Sequence, residues 1–215
     1  MIQAFIFDMD GVIIDSEPLH FEVDIQVMNN FGSAITHEQL EQYVGMTNPE
    51  MWKRIIDEHK LAQTVEEIIE YQLRQKIDLL TAREMHPIEG IRELLDRLKA
   101  HDIPAAIASS SPPVFIKAVL NKFDLLDRFE FVVSGEEVEH GKPAPDVYLK
   151  AAELLGVAPA HCMVLEDARH GVAAAKAAGM ECIGYVNPNS GNQDLSQADF
   201  IVKSISEVVQ ICELK

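Results

Sequence analysis

The stretch FIFDMDGVIIDSE, Phe5 to Glu17, carries four carboxylates, Asp8, Asp10, Asp15 and Glu17. An apolar run leads straight into Asp8, Asp10 follows two positions on, and Gly11 offers a turn. Acids at the end of a buried strand are costly unless something uses or neutralises them. Three later stretches also place reactive groups beside apolar runs. PAAIAS ends in Ser109, with Ser110 and Ser111 after it; Gly141-Lys142-Pro143 supplies an ammonium; CMVLED closes on Glu166 and Asp167. Carboxylates hold Mg²⁺, a hard cation that prefers oxygen. One carboxylate can attack phosphorus. A second acid two residues away can protonate the leaving oxygen and then activate water. Ser109 and a backbone N–H beyond it can hydrogen-bond phosphoryl oxygens, and Lys142 can hold one by charge. Taken singly, each group has an ordinary reading as a surface acid, a helix cap or a solvated lysine. Their order and their shared place at strand ends point to phosphoryl transfer.

The elements that would position them follow from the patterning. Ile2–Asp8 reads as a strand, and Gly11–Asp15 as a small hairpin or flap. From Pro18 to about Arg83 only helical patterns occur: Pro18–Phe31, Thr36–Val44, Pro49–His59 and Val65–Leu80. After His86-Pro87 helices and strands alternate. The strands are Pro104–Ser109, Phe129–Ser134, Cys162–Asp167, Cys182–Val186 and Phe200–Val202. The helices are Ile88–His101, Pro113–Phe123, Asp146–Leu155, Ala168–Ala178 and Ser204–Glu213. This alternation predicts an α/β core, a Rossmann-like doubly wound parallel sheet. The helical run is then an insertion, a four-helix-bundle-like cap. The expected boundaries are 1–16 and 85–215 for the core and 17–84 for the cap, placed as a lid over the strand ends.

A net charge of −17 over 215 residues argues against nucleic acid as a partner. No apolar run is long enough to span a bilayer, and MIQAFIFDMD lacks the regions of a signal peptide. Cys162, Cys182 and Cys212 share no metal-type spacing and fit a reducing cytoplasm. The expectation is a cytoplasmic monomer acting on a small phosphorylated metabolite.

In their order, DMDGV, IASSS, GKPAPDVY and VLEDARHG resemble the four motifs of the haloacid dehalogenase superfamily. The helical insertion resembles its small α-helical cap. DMDGVIIDSEPLH is similar to the branch that holds β-phosphoglucomutases and small sugar-phosphate phosphatases. The resemblance implies Asp8 as the nucleophile that becomes phosphorylated and Asp10 as general acid and base. It implies Mg²⁺ as cofactor, held by Asp8, the Asp10 carbonyl and Asp167, with Glu166 ligating either directly or through water. Ser109, Ser110 and Lys142 would bind the transferring phosphoryl group. Asp10 argues against a true dehalogenase, whose branch lacks the second acid. Glu17, His20, Gly45, Thr47 and Asn48 are candidates for reading the substrate. Asn48 stands where the mutases are expected to carry an arginine, and an amide does not replace that cation's grip on phosphate. The preferred reading is therefore a phosphatase of a sugar phosphate, with β-phosphoglucomutase as the alternative. A receiver-like phosphoaspartyl switch would carry its aspartate on a middle strand and have no cap.

Overall fold

Six apolar runs pair into one parallel sheet in the order β3-β2-β1-β4-β5-β6 in the computed structural model of the protein. The structure describes residues 2–43 and 48–213. The strands are β1 (Ala4–Phe7), β2 (Ala105–Ser109), β3 (Phe131–Ser134), β4 (Cys162–Glu166), β5 (Glu181–Tyr185) and β6 (Phe200–Val202). Three of the expected strands are trimmed by one or two residues, the first by three, and the fifth is shifted by one, the usual uncertainty of element ends. By contacts the chain divides into two units, Met1–Ser16 with His86–Lys215, and Glu17–Met85.

The first unit holds the sheet with α5 (Ile91–Ala100), α6 (Pro113–Lys122), α7 (Asp146–Leu155), α8 (Arg169–Ala177) and α9 (Ile205–Ile211). All four residues of β1 are buried, as a central parallel strand requires. One sheet face is built of small residues. Ala106 and Ala108 pack in one cluster with Ala151, Ala152, Ala174 and Ala175, so α7 and α8 lie close on the strands. The other face carries Phe5 and Phe7, with Phe129 edge-on to Phe7 at 5.6 Å. The strand order runs outward from β1 in one direction and from β4 in the other. The crevice between them is the switch point where open α/β sheets bind ligands. Phe7 pairs with Leu165, so the next residues, Asp8 just past β1 and Glu166 at the end of β4, come side by side.

The second unit holds α1 (Glu17–Asn30), α2 (His37–Leu40), α3 (Asn48–His59) and α4 (Val65–Ala82). Leu19, Val23, Trp52, Ile55 and Ile68 are fully buried. Thr64 and Glu67 start α4 with a reciprocal capping box. Asp24 and Gln72 are polar yet buried, and Gln72 Nε2 donates to Asp24 Oδ1.

Two local expectations are corrected. The segment Thr36–Val44 is not one helix. α2 ends at Leu40 and a tighter 3₁₀ turn, Glu41–Tyr43, follows; Val44 lies outside the described residues. Leu40 and Tyr43 are both buried, and their spacing of three suits three residues per turn. The segment after Asp10 is a turn, not a hairpin. The Met9 carbonyl accepts from the N–H groups of Val12, Ile13 and Ile14, leaving one isolated bridge, Asp10 to Ile14. Among the described residues no helix is long and apolar enough to cross a membrane.

Candidate active site

Asp8 follows β1 directly, and its N–H donates to the Leu165 carbonyl of β4 at 3.0 Å. Lys142, on the loop before α7, reaches back to the same point. Its Nζ donates to Asp8 Oδ1 at 2.6 Å and to Glu166 Oε1 at 2.7 Å. The Lys142 and Asp8 side chains are 7% and 9% exposed, so the pair is almost wholly removed from water. The net balance raises the Asp8 carboxyl to about 8: burial contributes most, Lys142 opposes it, and Glu166 and Asp10 add to the rise. Burial works to discharge Lys142, but Asp8 and Glu166 outweigh it and hold the ammonium above its usual value. A lysine kept protonated at 2.6 Å favours the ionised carboxylate.

Glu166, the last residue of β4, is enclosed by donors. Oε1 accepts from Lys142 and, at 3.0 Å, from the Tyr148 hydroxyl; Oε2 accepts from the N–H groups of Asp167 and Ala168, both at 2.8 Å. A carboxylate offers about four lone-pair directions, and these four donors take them up. Burial and Glu166 raise the Tyr148 phenol well above its usual value, so it stays a donor. Asp167 is also buried, and burial with Glu166 and Asp8 raises its carboxyl while Ser190 lowers it. Asp8, Glu166 and Asp167 each bring an oxygen within 4.8 Å of the others. Three acids face one ammonium. This oxygen-only set fits a hard divalent cation, which would offset the excess charge.

Asp10 is held by hydroxyls. Ser16 Oγ donates to Oδ1 at 2.6 Å, Ser111 Oγ to Oδ2 at 2.7 Å, and Ser109 Oγ stands 3.5 Å from Oδ2. Ser109 closes β2 fully buried and accepts from the Ser111 N–H at 3.0 Å; Ser110 beside it is exposed. Gly11 has φ +76, and an added Cβ would lie 2.0 Å from Asp167 Oδ2. Only glycine lets the turn pass there.

The structure thus joins Asp8, Lys142, Glu166 and Asp167 by hydrogen bonds in one set and Asp10 with Ser109 in a second, with the Asp10 charge acting on Asp8. Glu17, His20 and Asn48 belong to the second unit; Gly45 and Thr47 lie outside the described residues. Asn48 Nδ2 donates to Gln72 Oε1 at 2.9 Å. Sequence reasoning missed Ser16, Tyr148, Gly171, Asn187 and Ser190. A tyrosine on the apolar face of α7 was one available signal, because its buried hydroxyl needs a partner. The turn-rich run NPNSGN, following a strand's carboxyl end, was another.

A parallel α/β sheet with paired carboxylates, a lysine and a serine at its switch point defines a phosphoryl-handling hydrolase fold. Residues 5–185 match the family model for haloacid dehalogenase-like hydrolases. The chain belongs to that family. It is 34% identical over 215 residues to hexitol phosphatase B of Escherichia coli, covering 96% of this chain and 94% of the relative. Among solved structures, CbbY from Rhodobacter sphaeroides in complex with phosphate aligns with a TM-score of 0.89 at 25% identity, covering 97% of this chain and 96% of that one. A putative β-phosphoglucomutase from Thermotoga maritima aligns at 0.82 and 30% identity, covering 99% of each.

Proposed function

We propose that the protein is a Mg²⁺-dependent phosphatase of a small phosphorylated metabolite, a sugar or polyol phosphate. The observation that carries this reading is Lys142 bridging Asp8 and Glu166 at the β1/β4 switch point, with Asp10 held by Ser16 and Ser111. Asp8 attacks phosphorus and the ester oxygen leaves with the proton that Asp10 delivers. Asp10 then takes a proton from water, the water oxygen attacks the phosphoaspartate, and inorganic phosphate leaves with Asp8 restored. Ser109 and Lys142 hold the phosphoryl oxygens. Asp8, Asp167 and the Asp10 carbonyl would hold the ion, and Glu166, already saturated, orients Lys142. A bound Mg²⁺ supplies positive charge against the carboxylates and the phosphoryl group.

The helical unit is the cap that reads the leaving group in this proposal. Its Asn48 gives its amide N–H to Gln72, so this position supplies no cationic grip for a second phosphate. That favours hydrolysis over mutase chemistry. Phosphorus NMR of the protein with Mg²⁺ and a panel of hexose, hexitol, pentose and nucleoside monophosphates tests the reading, with Asp8→Asn as control. Free phosphate from one class, absent in the control, is the expected result. Conversion of β-glucose 1-phosphate to glucose 6-phosphate with a trace of bisphosphate, and without phosphate release, would make it a mutase.

A further inference from the structure

The long segment between β5 and β6 has no part in the chemistry described so far, yet it touches the site at three points. Asn187 Nδ2 donates to the Gly11 carbonyl at 2.9 Å, and Asn187 is buried. Asn189 Nδ2 donates to Asp15 Oδ2 at 2.5 Å. Ser190 Oγ donates to Asp167 Oδ2. The segment is itself braced. Asn187 Oδ1 accepts from the Asn189 N–H at 2.8 Å, and the Ser190 carbonyl accepts from Gln193 Nε2 at 2.9 Å. Gln193 Oε1 in turn accepts from the Arg169 N–H at the start of α8, at 3.1 Å. Gly11, Asp167 and Ser190 meet at one spot, since a Cβ on Gly11 would lie 2.0 Å from Asp167 Oδ2 and 2.9 Å from Ser190 Oγ.

Asp167 is the carboxylate of the acidic cluster that no lysine or arginine bonds among the described residues. Its neighbours Asp8 and Glu166 are both fixed by Lys142. What fixes Asp167 is a hydroxyl on a braced loop. A carboxylate turns about its terminal bond with a broad torsional preference, so an unanchored one would present its oxygens in many directions. The bond from Ser190 to Oδ2 limits that rotation and so fixes the plane of the carboxylate.

We propose that Ser190 is a positioning residue for the metal centre, fixing Asp167 so that a divalent ion meets a preformed oxygen. This rests on the reading that Asp8 and Asp167 hold Mg²⁺. Partners that orient a metal-binding side chain commonly set affinity by about 10–100-fold. The loop also ties the same carboxylate to the turn after Asp10, so the strap links the metal centre to that turn.

Direct binding tests it without any turnover. Mg²⁺ titration calorimetry and Mn²⁺ paramagnetic resonance are run on the full chain and on Ser190→Ala, Ser190→Thr and Asn189→Ala. Ser190→Ala is expected to weaken both ions about tenfold. Ser190→Thr, which keeps the hydroxyl, restores affinity to within about threefold, and Asn189→Ala, which loosens the loop without touching Asp167, stays within the same margin. A Ser190→Ala constant less than threefold from the parent overturns the proposal. An equal loss in Asn189→Ala also overturns it, because loop displacement rather than the hydroxyl would then be the cause. If the parent chain binds neither ion, the metal reading itself fails, a separate result. Ser190→Gly serves in place of the alanine variant if that chain does not fold.

Discussion

Glu166 lies where the first turn of α8 passes, and Gly171 makes that possible. A Cβ at Gly171 would fall 1.5 Å from Glu166 Oε1 and 1.9 Å from its carboxyl carbon. Elsewhere in a helix, alanine in place of glycine is favourable by roughly 1 kcal/mol. Here the sign reverses, because the added methyl must expel a carboxylate that four donors hold. Gly171→Ala is expected to cost about 2 kcal/mol as overpacking. It also releases Lys142 from its second partner, so turnover falls along with the melting temperature. Thermal unfolding and phosphate release measured on the same preparation check both. A variant that melts higher than the parent would mean that Glu166 has room to move.

The helical unit shows how a charge buried inside an element packing is tuned. Asp24 of α1 sits beside Gln72 and Lys76 of α4 and His20 of its own helix. Burial raises its carboxyl above the usual value, while Lys76, Gln72 and His20 each act to lower it. A carboxyl raised in the folded state binds its proton more tightly there than in the unfolded chain, where it titrates near about 3.9. The stability it contributes is present below that value and is lost as pH rises through the folded pKa. Asp24→Asn keeps an oxygen for Gln72 and removes the titration. It is therefore expected to be more stable than the parent at neutral pH, with the difference closing toward pH 4. Denaturant unfolding at several pH values measures it. An unchanged gap across that range would place the cost elsewhere than in this carboxyl. The helices themselves were readable from sequence because apolar spacing records which face is covered. The polar contact inside the bundle was not, since an aspartate and a glutamine forty-eight positions apart carry no local mark of meeting. The same holds at the site. Asp8, Ser109, Glu166 and Asp167 could be picked out because each ends a strand or directly follows one, and parallel strands deliver their ends to one edge. Tyr148, Ser190 and Asn187 act across the fold, and only the packing of α7 and the course of the β5–β6 segment reveal them.

For the molecule as a whole, the −17 charge bears on how metal binding must be read. A strongly acidic chain gains stability from any added cation through screening. On the proposed metal reading, Mg²⁺ held by Asp8 and Asp167 would add a specific part that NaCl at equal ionic strength cannot supply. At a hundred times the dissociation constant that part amounts to about 2.7 kcal/mol. The melting temperature is expected to rise with Mg²⁺ at constant ionic strength and to return with EDTA. Asp167→Asn, which removes a carboxylate of the cluster, should lose most of the rise. An equal rise in that variant would assign the effect to the surface instead.

The chain leaves the sheet-bearing unit after Ser16 and re-enters it at His86, and the two passages are stitched together within that unit by Ile88 N–H donating to the Ile13 carbonyl at 2.9 Å. A segment whose ends already lie side by side behaves, for the sheet, as one long loop. The entropy of closing such a loop grows only with the logarithm of its length. The sheet therefore tolerates large changes in what hangs between those two points, and none of its ladder pairings passes through them. If the inserted unit reads the substrate as proposed, substrate choice could drift or be exchanged by rewriting one contiguous stretch of gene, while the acidic residues at the strand ends stay where the sheet puts them.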